Sequence, residues 1–184
     1  MSTKTAPAEP ARYTRTAIAL HWLIAGFIIS AFALGWIMTE MAISPLKLRM
    51  FNWHKWVGVT VLGLAAIRSL WRLTHTAPAL LPMPAWQRNS AHTLHGLLYL
   101  AMFAIPLSGW AYSNASGYPV VYLGLLPLPT FIDKNRELAQ SLREIHELFG
   151  WVLVVLVTIH IVAALKHHFF DRDDTLRRML PRRH

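Results

Sequence analysis

Four histidines lie where the sequence turns apolar. His21 comes early in one apolar stretch, His54 opens the next, and His146 and His160 sit at the mouth and in the interior of the last. A neutral imidazole is the commonest protein ligand for a transition metal. Positions 146 and 160 differ by almost four helical turns, so on a helix they share one face, about 21 Å apart along the axis. Ionisable groups within apolar runs are costly and are usually kept for function. Two helices facing each other supply one imidazole to each side of a haem iron. The pattern therefore points to two b-type haems stacked through a membrane, with electron transfer between them.

The elements that must carry these residues are membrane helices. The chain has 184 residues, 54% hydrophobic and 15% charged, too little polar surface for a soluble domain of this length. A span needs about 20 apolar residues, and four stretches qualify, at 17–38, 51–73, 91–113 and 147–169. The expected fold class is an all-α membrane protein, a four-transmembrane-helix bundle over residues 15–170. Residues 1–14 are expected to form a disordered tail and 171–184 a basic C-terminal one. The first span is too long for a cleavable signal peptide and lacks a small-residue cleavage site. Cysteine is absent, which excludes disulfides, thiolate metal sites, iron–sulfur clusters and covalently attached haem.

Charge sets the expected topology. Lys4, Arg12 and Arg15 precede span one; Arg68, Arg72 and Arg88 surround the second connection; Lys166, Arg172, Arg177, Arg178, Arg182 and Arg183 follow span four. Only Lys47, Arg49, Lys55, Lys134, Arg136 and Arg143 lie on the other side. The positive-inside rule puts both termini in the cytoplasm, and the net charge of +9 reports contact with anionic lipid rather than nucleic acid. With that topology, His54 and His146 share the outer level and His21 and His160 the cytoplasmic level.

Other residues admit two readings. His92 and His95, spaced i, i+3 at the cytoplasmic end of span three, could replace His21, line a proton or quinone path, or hydrogen-bond haem propionates or lipid headgroups. Arg68 and Arg72 either pair with propionates or snorkel as topology anchors. Gly58 and Gly150 follow His54 and His146 by four residues, where a small residue leaves room for a flat porphyrin. His75 reads as a solvated interfacial group, and the terminal His184 has no inferable role. Prolines 78, 82 and 84 keep the second connection from being helical, and Pro106 should kink or loosen span three. The long connection 114–145 is apolar and turn-rich in its first half, so it should lie on the outer membrane surface and cover something. Its second half, 133–147, reads as a short polar helix. The eight tryptophans cluster near span ends as an aromatic belt. There is no dinucleotide fingerprint, P-loop or zinc-protease motif. A histidine-relay proton transporter is the competing reading, and the scarcity of intramembrane carboxylates speaks against it.

Several segments together resemble the bacterial cytochrome b561 family. They are Ile18–Leu23 around His21, Asn52–Gly58 around His54, Ala91–Tyr99 with Pro106 and Gly109, His146–Gly150, and the stretch from His160 through His167-His168-Phe169-Phe170 to Asp174–Arg182. The resemblance implies a multi-pass protein of the bacterial inner membrane holding two haems b, His21 with His160 and His54 with His146. It also implies superoxide:ubiquinone oxidoreductase activity. Lys55 and Arg49 are then the candidates for drawing superoxide to the outer haem by charge, and His167 and Arg72 those for meeting quinone near the cytoplasmic one. The alternative within this frame is a haem-bearing anchor subunit of a larger dehydrogenase or hydrogenase, with a partner subunit docked on 114–145.

Overall fold

Each long helix begins where a side-chain oxygen or a proline can start it. Thr14 Oγ1 accepts from the Ala17 amide at 3.2 Å and opens α1 (Arg15–Glu40). Ser44 does the same for Lys47 at 3.2 Å, with Pro45 pre-set in the first turn of α2 (Pro45–Thr74). Pro84 precedes α3 (Ala85–Ala115), and Asn135 Oδ1 accepts from the Leu138 amide at 3.0 Å to cap α4 (Arg136–Lys166). The computed structural model describes residues 12–79 and 81–181. The expected tail up to residue 11, together with Leu80, Arg182, Arg183 and His184, lies outside them.

All four helices are long and apolar enough to cross a membrane, as expected; α1, α2 and α3 overrun their apolar spans at both ends, and α4 begins well before its own. No glycine or proline interrupts 136–149, so the polar helix expected to lead into span four runs on into it without a break and forms the first turns of α4. α3 runs unbroken through Pro106. There the Ser108 hydroxyl folds back and donates to the Ile105 carbonyl at 2.8 Å.

The connection between α3 and α4 departs from the all-α expectation. Gly117 and Gly124, both at positive φ, and prolines 119, 127 and 129 exclude a helix. Two short strands, β1 (Val121–Tyr122) and β2 (Leu126–Pro127), pair antiparallel instead. The hairpin is strapped to α2: Trp56 Nε1 donates to the Val121 carbonyl at 2.7 Å, Lys55 Nζ to the Tyr118 carbonyl at 3.1 Å, and the Thr60 and Tyr122 hydroxyls meet at 3.0 Å. It does lie over part of the bundle, as its composition suggested.

Close backbone packing joins α1 to α2, α2 to α3 and α3 to α4, and does not extend comparably to α1–α4 or α2–α4. α4 therefore stands off the first two helices. The small central core (Ile24, Ala65 and Met102, with Tyr99 and Phe103 against it) belongs to α1, α2 and α3 alone. At the hairpin end, Trp151 of α4 bridges to α1 by edge-on contact with Phe32 and Trp36, ring centres 5.5 Å apart in each case.

The other end, the termini end, carries the start of α1 and the segment that follows α4. Beyond α4 the chain makes one wider turn, His167–Asp171, which stops at Arg172 with φ 54°. The tail then docks back across the bundle. Trp22 Nε1 donates to the Met179 carbonyl at 2.8 Å, and Arg178 donates to the Ala79 carbonyl at 2.9 Å; the Arg12 guanidinium meets the Arg177 carbonyl. Arg178 is 7% exposed, so replacing it removes a largely buried charged donor that ties the tail to the second connection. Arg178→Met is expected to cost about 1–3 kcal/mol, read as a lower thermal unfolding temperature in detergent. An unchanged temperature would mean the docked tail contributes nothing to stability.

Candidate functional site

At the hairpin end, His54 of α2 and His146 of α4 face each other with ring centres 6.0 Å apart and planes nearly perpendicular, at 88°. Each ring is oriented by a neighbouring helix backbone. His54 Nδ1 lies 2.9 Å from the Ala31 carbonyl of α1, and His146 Nδ1 lies 3.0 Å from the Ile105 carbonyl of α3. A carbonyl only accepts, so both Nδ1 atoms carry the proton and both Nε2 atoms are left with a free lone pair. A carbonyl placed in this way fixes the tautomer of a metal-binding histidine. Ser108 Oγ adds a contact to His146 Nδ1 at 3.1 Å.

Glycine makes these approaches possible. A Cβ built at Gly109, four residues after Ile105, would stand 2.8 Å from His146 Cε1. One at Gly35, four residues after Ala31, would stand 3.3 Å from His54 Cε1. The ring of each histidine thus lies on a glycine and reaches the carbonyl one turn earlier. At Gly58 and Gly150, where the sequence suggested room for a porphyrin, a Cβ would meet nothing within 4 Å.

At the termini end, His21 of α1 and His160 of α4 face each other with ring centres 6.1 Å apart at 65°. His95 of α3 joins them, 5.5 Å from His160. His92 is exposed and stays outside this ring cluster. Arg68 donates to the Ala17 carbonyl at 2.6 Å, one turn before His21, and Arg72 sits 6.0 Å over the Tyr99 ring. Beyond α4, His167 Nδ1 is clasped by Asp173 at 2.7 Å and Asp171 at 3.0 Å, and Lys166 also pairs with Asp171 at 2.7 Å. Partial burial would raise the Asp173 carboxyl, but hydrogen bonds from Thr175 and His167 more than offset it and hold Asp173 below its ordinary 3.8.

The two residues expected to attract an anion differ. Arg49 is exposed on the protruding first turns of α2. Lys55 sits beside His54, but its ammonium is committed to the Tyr118 carbonyl. His75 is exposed and stacks flat on Trp71 at 3.7 Å.

This geometry fits a metal held between each pair. Metal–imidazole bonds of about 2 Å put two trans ring centres about 6 Å apart, and both pairs have that spacing. Nothing in the sequence marks Ala31, Ile105 and Ser108, whereas Gly35 and Gly109 are legible there as small residues that permit close approach, without the partner that makes it. The carbonyls have no sequence signature, and Gly35 and Gly109 are separated in the chain from the histidines they seat.

Comparison with known proteins points the same way. A family model described as prokaryotic cytochrome b561 matches residues 12–182. Two Escherichia coli K12 proteins named cytochrome b561 homolog 2 and homolog 1 are 36% and 33% identical. They cover 93% and 94% of this chain and 92% and 98% of their own lengths. A Yersinia pestis protein named a probable superoxide oxidase is 29% identical over 94% of this chain and 97% of its own.

The two glycine classes give a test. Gly109→Ala forces the His146 ring off its carbonyl and is expected to lower the ratio of haem to polypeptide and shift the reduced absorption band. Gly63→Ala, at an exposed position where a Cβ meets nothing within 4 Å, should leave both unchanged. Equal behaviour of the two variants would remove the seating role assigned to Gly109.

Proposed function

Because the chain belongs to the prokaryotic cytochrome b561 family of haem b membrane electron-transfer proteins, we propose that it is a dihaem oxidoreductase passing electrons from superoxide to ubiquinone. On this reading the hairpin end faces outward from the bacterial inner membrane, and both termini are cytoplasmic. Residues 15–170 carry the redox centres, and the basic tail closes the cytoplasmic end. The observation that supports it best is the two facing imidazole pairs, 6.0 and 6.1 Å between ring centres. Their α4 members are separated by about 21 Å along the helix.

The residues divide the work by position. His54 and His146 would hold one haem through Nε2, with Ala31 and Ile105 keeping the rings aimed. His21 and His160 would hold the other, with His95 beside them. A haem held at each pair would supply one-electron transfer. Arg49, exposed at the outward end, is placed to draw in a small anion, while Lys55 is a fixed charge next to His54. The name of the Yersinia pestis relative supports superoxide as the donor. The balanced reaction takes two superoxide ions, one quinone and two protons to two dioxygen molecules and one quinol. His167 is the candidate for meeting the quinone, because Asp171 and Asp173 occupy its Nδ1 and leave Nε2 to face a quinone oxygen. Arg72 is the second candidate there.

Haem stoichiometry tests the ligands. Wild type is expected to carry two haems b, His54→Ala and His21→Ala one each, and His95→Ala two. Loss of a haem only when His95 is removed would transfer the ligand role from His21 to His95. The donor is tested separately. Arg49→Glu is expected to lower the second-order rate of superoxide-driven quinone reduction by about threefold or more at low salt, leaving haem content intact. A rate insensitive both to that change and to ionic strength would count against an anionic donor.

A further inference from the structure

From Ala115 to Ile132 the chain carries no Asp, Glu, Lys or Arg, yet beyond the buried Ala115 and Val120 this stretch is a surface connection with most of its large apolar side chains exposed. Leu125 at the hairpin tip is 84% exposed, Leu126 58% and Leu123 54%, and Tyr118 and Phe131 are exposed beside them. Leu123 has φ 54°, a conformation that L side chains rarely adopt. Short hairpin turns normally fill such positions with glycine, asparagine or aspartate, so an aliphatic side chain is displayed here at a conformational cost.

The depth of the hairpin identifies what it meets. On α4 the exposed Arg143–Glu147 ion pair brackets His146 and marks the level that faces water. His54 lies across from His146 at that same level. The straps that hold the hairpin, Lys55, Trp56 and Thr60, therefore run from this level to about 9 Å farther toward the middle of the bundle. That is the depth at which apolar faces sit in the boundary between headgroups and acyl chains. Trp56, Tyr118 and Tyr122 belong to the residue types that concentrate there. The turn also pairs part of its own backbone, which lowers the cost of leaving water. Its Gly124, Leu125 and Leu128 amides bond to the Val121, Tyr122 and Val120 carbonyls at 3.2, 3.0 and 2.9 Å.

We propose that the 118–131 hairpin is a membrane-interfacial element whose Leu123, Leu125 and Leu126 side chains insert among the lipids of the leaflet on the hairpin side. It lies beside α2 next to His54, so it seals that flank of the site toward lipid and leaves the approach to the histidine pair from water. The inference goes beyond the redox reading and holds whichever donor the protein uses.

The chain has no cysteine, so single nitroxide labels can be placed on the full-length protein in lipid nanodiscs, with haem content as the folding check. Labels go at Leu123→Cys, Leu125→Cys and Leu126→Cys. Ile29→Cys, exposed midway along α1, sets the lipid value, and Asp133→Cys sets the aqueous one. Collision with oxygen relative to a water-soluble nickel chelate is expected to be several-fold higher at the three leucine positions than at 133, and below that at 29. A nickel response equal to that at 133 would place the tip in water and overturn the proposal. Shielding from both reagents would overturn it in favour of a protein partner, and label–label broadening in favour of a second copy of this chain.

Discussion

Two imidazoles can share one metal only if the helices bearing them are held apart by the length of both side chains. Most of the bundle is arranged around that separation. α1, α2 and α3 pack backbone to backbone, while α4 packs closely on α3 and faces the other two across the histidine pairs. The stand-off is maintained from outside the pairs, by α3 along one side of α4 and by Trp151 against Phe32 and Trp36 on another. Helix packing in lipid gains nothing from hydrophobicity alone, because acyl chains are as apolar as leucine. Specific polar contacts between helices therefore carry much of the positional information. The bonds from His54 to Ala31 and from His146 to Ile105 are contacts of this kind.

Those bonds also differentiate the ends of the molecule. At the hairpin end each ring has a fixed tautomer, a carbonyl acceptor and a glycine to lie on. At the termini end three histidines share one level, and the nearby cationic group, Arg68, is bound to the Ala17 carbonyl. Two sites of similar ring spacing thus sit in different electrostatic surroundings, and such surroundings are the means by which a protein tunes otherwise identical haems.

The closures differ as well. A polar tail docks across one end through Trp22, Arg178 and the His167–Asp173 clasp. An uncharged hairpin closes the flank of the other through Lys55, Trp56 and Thr60. In both cases a backbone carbonyl accepts from a long or aromatic side chain of a helix, which satisfies the irregular segment where water is scarce.

Four helices, their order and the four histidines in two levels were legible in the sequence, because a bilayer imposes a length and an apolar composition on anything that crosses it, and because helical rise converts spacing into depth. The family was legible too, since its motifs are contiguous. Helix ends were not, because polar turns continue a helix as readily as apolar ones when no proline or glycine stops them. Nor were the hairpin and the seats of His54 and His146. Ala31 and Ile105 act through carbonyls that every residue has, and Gly35 and Gly109 matter only because a ring from another helix arrives there. The sequence by itself determined what could bind a metal and at what depth. Only the tertiary structure decided which nitrogen is free to do so, because that depends on a neighbour distant in the chain.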